Sequence, residues 1–224
     1  HLLNSCGLLF FTLLPAVLFS LSTLKNIDKT FQNQDSISHC SRSNPLLHKS
    51  IIRKTSFDHV LSQYDVFYYL IDIEVSDTTT NISGNAEIHF RPLQPLDTFC
   101  FELDTNNVID SVLIDNKIHS FNRSDGFVNV LLSPPLSPYV NHFAAIFYNG
   151  NTTSNGGFFN GISHGYSDIW NTHVTWTLSQ PFSASVWWPC KQVLTDKADS
   201  VKVILTTDSS NTAVSNGLLI NVAS

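Results

Sequence analysis

The chain has 224 residues, a formal net charge of −6 and only 13% charged residues, while 12% are aromatic and Phe alone fills 16 positions. That length holds one sizeable domain beside a leader and a linker, and with no basic run longer than Arg53-Lys54 a nucleic-acid footprint is excluded. Four cysteines without C-x-x-C spacing exclude zinc-ribbon and thioredoxin-type sites, and aromatic richness with few Glu or Lys points to an all-β extracellular chain.

In chain order, Leu2 to Ser22 hold an apolar run centred on Leu8 to Leu21, of the length of a signal-peptide core, with the small residues Ser20 and Ser22 where a peptidase cuts. Residues 1–24 therefore read as a signal peptide lacking its basic start, and the protein as exported: secreted, periplasmic or at the cell surface. It would sit on a membrane only if the leader stays uncleaved. The absence of methionine, even at position 1, is expected of a fragment. Residues 25–61 are polar and aperiodic and read as a linker, with the apolar patch Phe57 to Leu61 at the start of the fold proper.

From residue 62 to 224 the period is two. Tyr64 to Val75 places Tyr69, Ile71, Ile73 and Val75 on one face and Asp72 and Glu74 on the other. Gly84 to Arg91 turns Ala86, Ile88 and Phe90 inward, and Asp97 to Asp104 does the same with Phe99, Phe101 and Leu103. Val108 to Ile114, Ile118 to Phe121 and Phe127 to Leu132 follow, with turns at Asp115-Asn116-Lys117 and Ser124-Asp125-Gly126. Short strands at this spacing predict a mostly antiparallel β-sandwich with no helix before residue 150. Pro134, Pro135 and Pro138 should end the pattern until His142 to Tyr148. Asn149 to Trp170, rich in Gly, Asn and Ser, reads as one long loop, with Phe158 and Phe159 folding back for packing. Ser200 to Thr207 is a strand, and Ala213 to Ile220 begins a hairpin round Asn216-Gly217. An edge left unpaired there implies that more protein follows.

Between these lies Trp176 to Ser200, with three of the four tryptophans, Trp176, Trp187 and Trp188, and a Pro189-Cys190 corner. At roughly 25 cal/mol per Å² of apolar surface, such a segment belongs in the wall of a core or pocket. Gln180 is its uncharged polar residue, and a buried amide needs partners. Cys100 and Cys190 read as small buried hydrophobes, with a bridge between them as the alternative. The histidines, His39, His48, His59, His89 and His119 among them, read as solvated, with no metal-ligand spacing. No nucleophile elbow, P-loop or dinucleotide fingerprint is present, so no catalytic or metal-ligating residue is assigned. The sequons at Asn81, Asn122 and Asn151 are no more than chance composition supplies.

Several ordered blocks carry a resemblance. Gly157 with the FFNGIS run, VTWTLSQPF, WWPCK, LTDKADSV and AVSNGLL, together with Tyr64 to Val75, Ile82 to Gly84 and Leu93 to Thr98, resemble the amino-terminal domain of the aminopeptidase N family of zinc metallopeptidases. The match runs from about residue 62 to 222 and looks closest to secreted bacterial members; leukotriene hydrolase belongs to the same family. The resemblance implies a saddle-like β-domain preceding a zinc-binding catalytic domain whose G-x-M-E-N and H-E-x-x-H motifs this chain lacks. The chain alone should then be inactive, zinc belonging to the full-length enzyme. The resemblance also implies that Gln180, ten residues before Cys190, binds the free α-amine of a peptide substrate. Its departures are Val186 and Trp187 where relatives hold Arg, and Gln192 where they hold an acid. Two plainer readings stand beside it: Gln180 as a backbone cap at Pro181, and the whole chain as a non-catalytic surface sandwich binding glycans or proteins through exposed aromatics, which exposure of Trp187 and Trp188 would favour.

Overall fold

The computed structural model describes residues 57–152, 161–179 and 182–223. The expected leader and most of the expected linker lie outside the described residues, as do Phe158, Phe159 and Gln180. The described chain opens on Phe57, whose ring stacks on Phe127 at 4.1 Å. One helical turn, α1 (Asp58–Leu61), then buries Leu61 completely. This turn corrects the expectation of no helix before residue 150. It is too short to show a helical period, and tertiary burial of Leu61 supports it.

Eleven strands follow among the described residues: β1 (Tyr64–Val75), β2 (Asn81–Pro92), β3 (Leu96–Glu102), β4 (Asn107–Ile114), β5 (Lys117–His119), β6 (Phe121–Ser124), β7 (Phe127–Leu136), β8 (His142–Asn151), β9 (Gly161–Ser167), β10 (Thr172–Leu178) and β11 (Ser200–Thr206). They form a six-stranded sheet in the order β11-β1-β2-β8-β4-β5, a three-stranded sheet β3-β7-β6 and a separate hairpin β9-β10. Every pairing is antiparallel except β1 with β11.

The two larger sheets enclose one core. Ile71, Ile88 and Ile146 from the first meet Phe99, Phe101 and Val130 from the second, all buried. Phe90 of β2 stacks on Phe99 of β3 at 4.4 Å, and the Tyr64 ring closes on both. Each fully buried ring contributes about 1.5–3 kcal/mol. The strand β1 changes face midway: Tyr64 and Val66 are buried, then Tyr69, Ile71 and Ile73. A register shift against β2 between Val66 and Tyr68 supplies the extra residue that restores the inward phase.

Four sequence expectations need correction. Ile118 to Phe121 is two strands, because the chain leaves the six-stranded sheet after His119 and joins the three-stranded one at Phe121. Pro134 and Pro135 do not stop β7. They lie beyond its pairing with β6 and inside a register break against β3, where no ladder donor is needed. Much of the expected loop from Asn149 is strand, since β8 runs on to Asn151 and β9 pairs residue for residue with β10. The polar, glycine-bearing sequence of β9 hides this, because the partner strand supplies the order. Finally, Ala213 to Ile220 forms no hairpin; it is exposed, unpaired chain. The turns were legible: Asp115 and Asn116 take φ of 49° and 65°, and Asp125 and Gly126 take 50° and 84°, as tight hairpins require.

Cys100 and Cys190 are both buried and no disulfide joins them, so the small-hydrophobe reading holds and the bridge is absent. Burial, then the charge of Glu102, pushes the Cys100 thiol up to about 12 from its ordinary 9.0. Thiol reagents at neutral pH should therefore label the folded chain at these positions only after denaturant is added. Between about pH 9 and about 12 the unfolded chain loses the Cys100 proton and the folded one keeps it, so this group should lower stability as pH rises through that window. Native labelling at a rate matching the denatured chain would contradict the burial.

Candidate functional site

The segment after β10 has no sheet ladder, so its backbone groups must find partners one by one. It turns through a short 3₁₀ helix, η1 (Ala184–Val186). Three successive carbonyls are then met from three places: Ser185 O accepts from Asp104 N at 2.7 Å, Val186 O from Asn107 Nδ2 at 2.8 Å, and Trp187 O from the Tyr148 hydroxyl at 3.0 Å. The Trp187 Nε1–H donates to Ser179 Oγ at 2.8 Å, tying the end of β10 to the turn. Trp188 stands edge-on to Tyr69 at 4.8 Å, and both indoles pack on the core.

Next comes a three-residue clasp. Cys190 exchanges two backbone hydrogen bonds with Glu102, at 2.8 and 3.0 Å. Lys191 turns the other way: its N–H donates to the Tyr69 hydroxyl, and its Nζ donates to Tyr64 O and to the Asp196 carboxylate above the Tyr64 ring. Burial lowers the Lys191 ammonium pKa, and the bond to Asp196 opposes that shift. The neighbouring Asp65 carboxyl is raised, first by burial and then by the charge of Asp196.

Gln192 closes the clasp. Its Nε2 donates to Glu102 Oε2 at 3.0 Å and to Ser185 Oγ at 2.8 Å, while its Oε1 accepts from Ala184 N at 3.0 Å. An acid here would lose both donations and set a second carboxylate against Glu102, so the departure noted at this position is matched to its neighbour. Beside the clasp, Phe182, Gln192, Val193 and Leu194 face Asp58 and Ser62 of the α1 region across a cleft of about 310 Å³.

Gln180 lies outside the described residues, between Ser179 and Phe182, both of which are described. Trp187 and Trp188 are wall residues, as expected. Trp176 lies against Gly165 of the paired strand. The solvated reading of His89 is corrected: it is half-buried, bonded to Glu87 at 2.8 Å, stacked on Phe143 and edge-on to Tyr68. A second pair, His142 Nδ1 with Asp115 Oδ2 at 2.6 Å, joins residues distant in sequence. The Glu102–Gln192–Ser185 network was also missed, having no signature beyond the departure at Gln192. Among the described residues no group of three or more His, Cys, Asp or Glu could hold a metal ion. Nor is any described helix long and apolar enough to cross a membrane.

This architecture is the amino-terminal β-fold of the M1 zinc metallopeptidases. An M1 zinc metallopeptidase of Deinococcus radiodurans, solved with a Tyr-Ser-Ala substrate, superposes with a TM-score of 0.57 at 19% identity, over 71% of this chain and 36% of that one. A two-domain M1 zinc metallopeptidase bound to L-arginine gives a TM-score of 0.58 at 19% identity over the same shares. Yeast LTA4 hydrolase gives 0.54 at 14% identity, over 65% of this chain and 23% of its own. No family model and no curated protein matches the sequence. At these identities the likeness is one of fold, and the chain spans 36% of the length of the first of these structures.

Proposed function

We propose that this chain is the amino-terminal part of an exported zinc aminopeptidase that releases N-terminal residues from peptides. The observation that carries the proposal is the shared fold with M1 zinc metallopeptidases, one of them solved with a peptide substrate. In this reading Gln180 accepts a hydrogen bond from the substrate's free α-amine through its side-chain carbonyl. Anchoring that amine sets the register, so that the first peptide bond is presented for cleavage. Support comes from the flanks: Ser179 is tied to Trp187, and the turn from Ala184 to Trp187 is bonded to the β3–β4 loop, β4 and β8. In this reading zinc and the hydrolytic step belong to a further domain that this β-domain docks.

Exposed Trp187 and Trp188 would have favoured the glycan- or protein-binding reading. They are instead packed on the core, Trp187 with its N–H bonded. In the full-length protein, Gln180→Glu should lower KM for peptides with a free amine by about tenfold, since a charge-assisted hydrogen bond is roughly twice as strong as a neutral one. Peptides acetylated at the amino terminus should gain nothing. An unchanged or raised KM for the free peptides would remove Gln180 from amine binding.

A further inference from the structure

The chain carries two Asn-Gly pairs whose members are both described, and the fold treats them oppositely. Asn149-Gly150 lies inside β8, with Gly150 in register with Ile82 on one side and Asn107 on the other. The Asn149 amide donates to the Asp110 carboxylate at 3.1 and 3.2 Å. Asn216-Gly217 lies in chain that is exposed from Thr212 to Ala223 and has neither strand nor helix. Among the described residues no backbone hydrogen bond engages Gly217 N–H. Gly217 has φ of +100°, and a Cβ there would meet nothing within 4 Å.

An asparagine followed by glycine can react with its own backbone when both are free to move. The next residue's amide nitrogen must reach the side-chain carbonyl carbon, and glycine leaves that approach open. The geometry points to Asn216-Gly217 as a self-modification site, at which the chain converts its own amide to a mixture of aspartate and isoaspartate with water as the only co-reactant. The Gly217 nitrogen, having given its proton to solvent base, attacks Asn216 Cγ. The N–Cγ bond forms, the Cγ–Nδ2 bond breaks, and the amide nitrogen leaves as ammonia with a proton from solvent. Water then opens the cyclic imide. Cleavage at Cγ returns a normal aspartate, and cleavage at the Asn216 backbone carbonyl leaves the chain running through the side chain. Either product makes the net charge one unit more negative than −6. The second adds a methylene to the backbone between Ser215 and Leu218.

Ageing the full chain at mildly alkaline pH and mapping its peptides by mass spectrometry tests this directly. Conversion at Asn216 should proceed at the rate of an unstructured peptide of the same sequence and rise with pH. At Asn149 it should be slower by about a thousandfold or more, because reaction there needs a core strand to open. Gly217→Ala should slow conversion at Asn216 by on the order of tenfold, and Asn216→Gln should abolish it without altering the far-ultraviolet spectrum, since both side chains are exposed. In urea the two pairs should react alike. If Asn216 keeps its amide in the folded chain while both pairs convert in urea, or if both convert equally in the folded chain, the proposal is overturned.

Discussion

Replacing Lys191 by Ala should cost about 3–5 kcal/mol of stability, the range for breaking a buried ion pair by removing one partner. Lys191 is 3% exposed and Asp196 13%, so neither charge is rescued by water. Without the ammonium, Asp196 faces the raised carboxyl of Asp65 with nothing positive between them, and Tyr64 O loses its donor. Urea unfolding followed by tryptophan fluorescence reads this well, because Trp188 sits on Tyr69, whose hydroxyl accepts from the Lys191 backbone. The double variant Lys191→Met, Asp196→Leu should recover much of the loss, since it leaves no orphaned charge. A Lys191→Ala chain within about 0.5 kcal/mol of the parent, the range of ordinary surface substitutions, would mean the clasp is not held by this pair.

Gly84→Ala should be of similar size, at about 3 kcal/mol or more, for a reason that has nothing to do with charge. Gly84 has φ of +152°, and a Cβ there would lie 2.1 Å from Asp72 O and 2.9 Å from Ile73 Cα, both backbone atoms of the paired strand. Backbone strain of about 1–3 kcal/mol adds to overpacking of a similar amount. The neighbour cannot swing aside, because Asp72 and Ile73 are fixed in register on both sides, against β2 and against β11. A melting temperature unchanged in Gly84→Ala would show that β1 and β2 do not approach this closely.

Sequence reasoning succeeded where one residue's neighbours in sequence are also its neighbours in energy. The alternation of Ala86, Ile88 and Phe90 is itself the inward face of β2, all three fully buried. The Asp115-Asn116 and Asp125-Gly126 turns announce themselves because few residues accept positive φ. It failed where order comes from a distant partner. The strand β9, with two glycines and two histidine or tyrosine positions facing solvent, is a strand because β10 pairs with it. The split at Ser120 depends on which sheet is near, which no local pattern encodes. Of the candidate site, the wall of tryptophans and the Pro189-Cys190 corner were legible as apolar mass. The clasp was not, because Glu102 and Gln192 lie far apart in sequence and meet only through the fold.

The first long strand, β1, finds its outer neighbour in β11: Tyr68 lies opposite Ser200, and Glu74 opposite Thr206. During synthesis the growing polypeptide therefore carries an open flank on β1 until Ser200 to Thr206 have been made. Parallel pairing across such a span closes late and slowly, and until then that flank is exposed to other nascent chains. A ribosome pause before Thr206 emerges would lengthen this interval of vulnerability, whereas one placed after it would find the seam already shut.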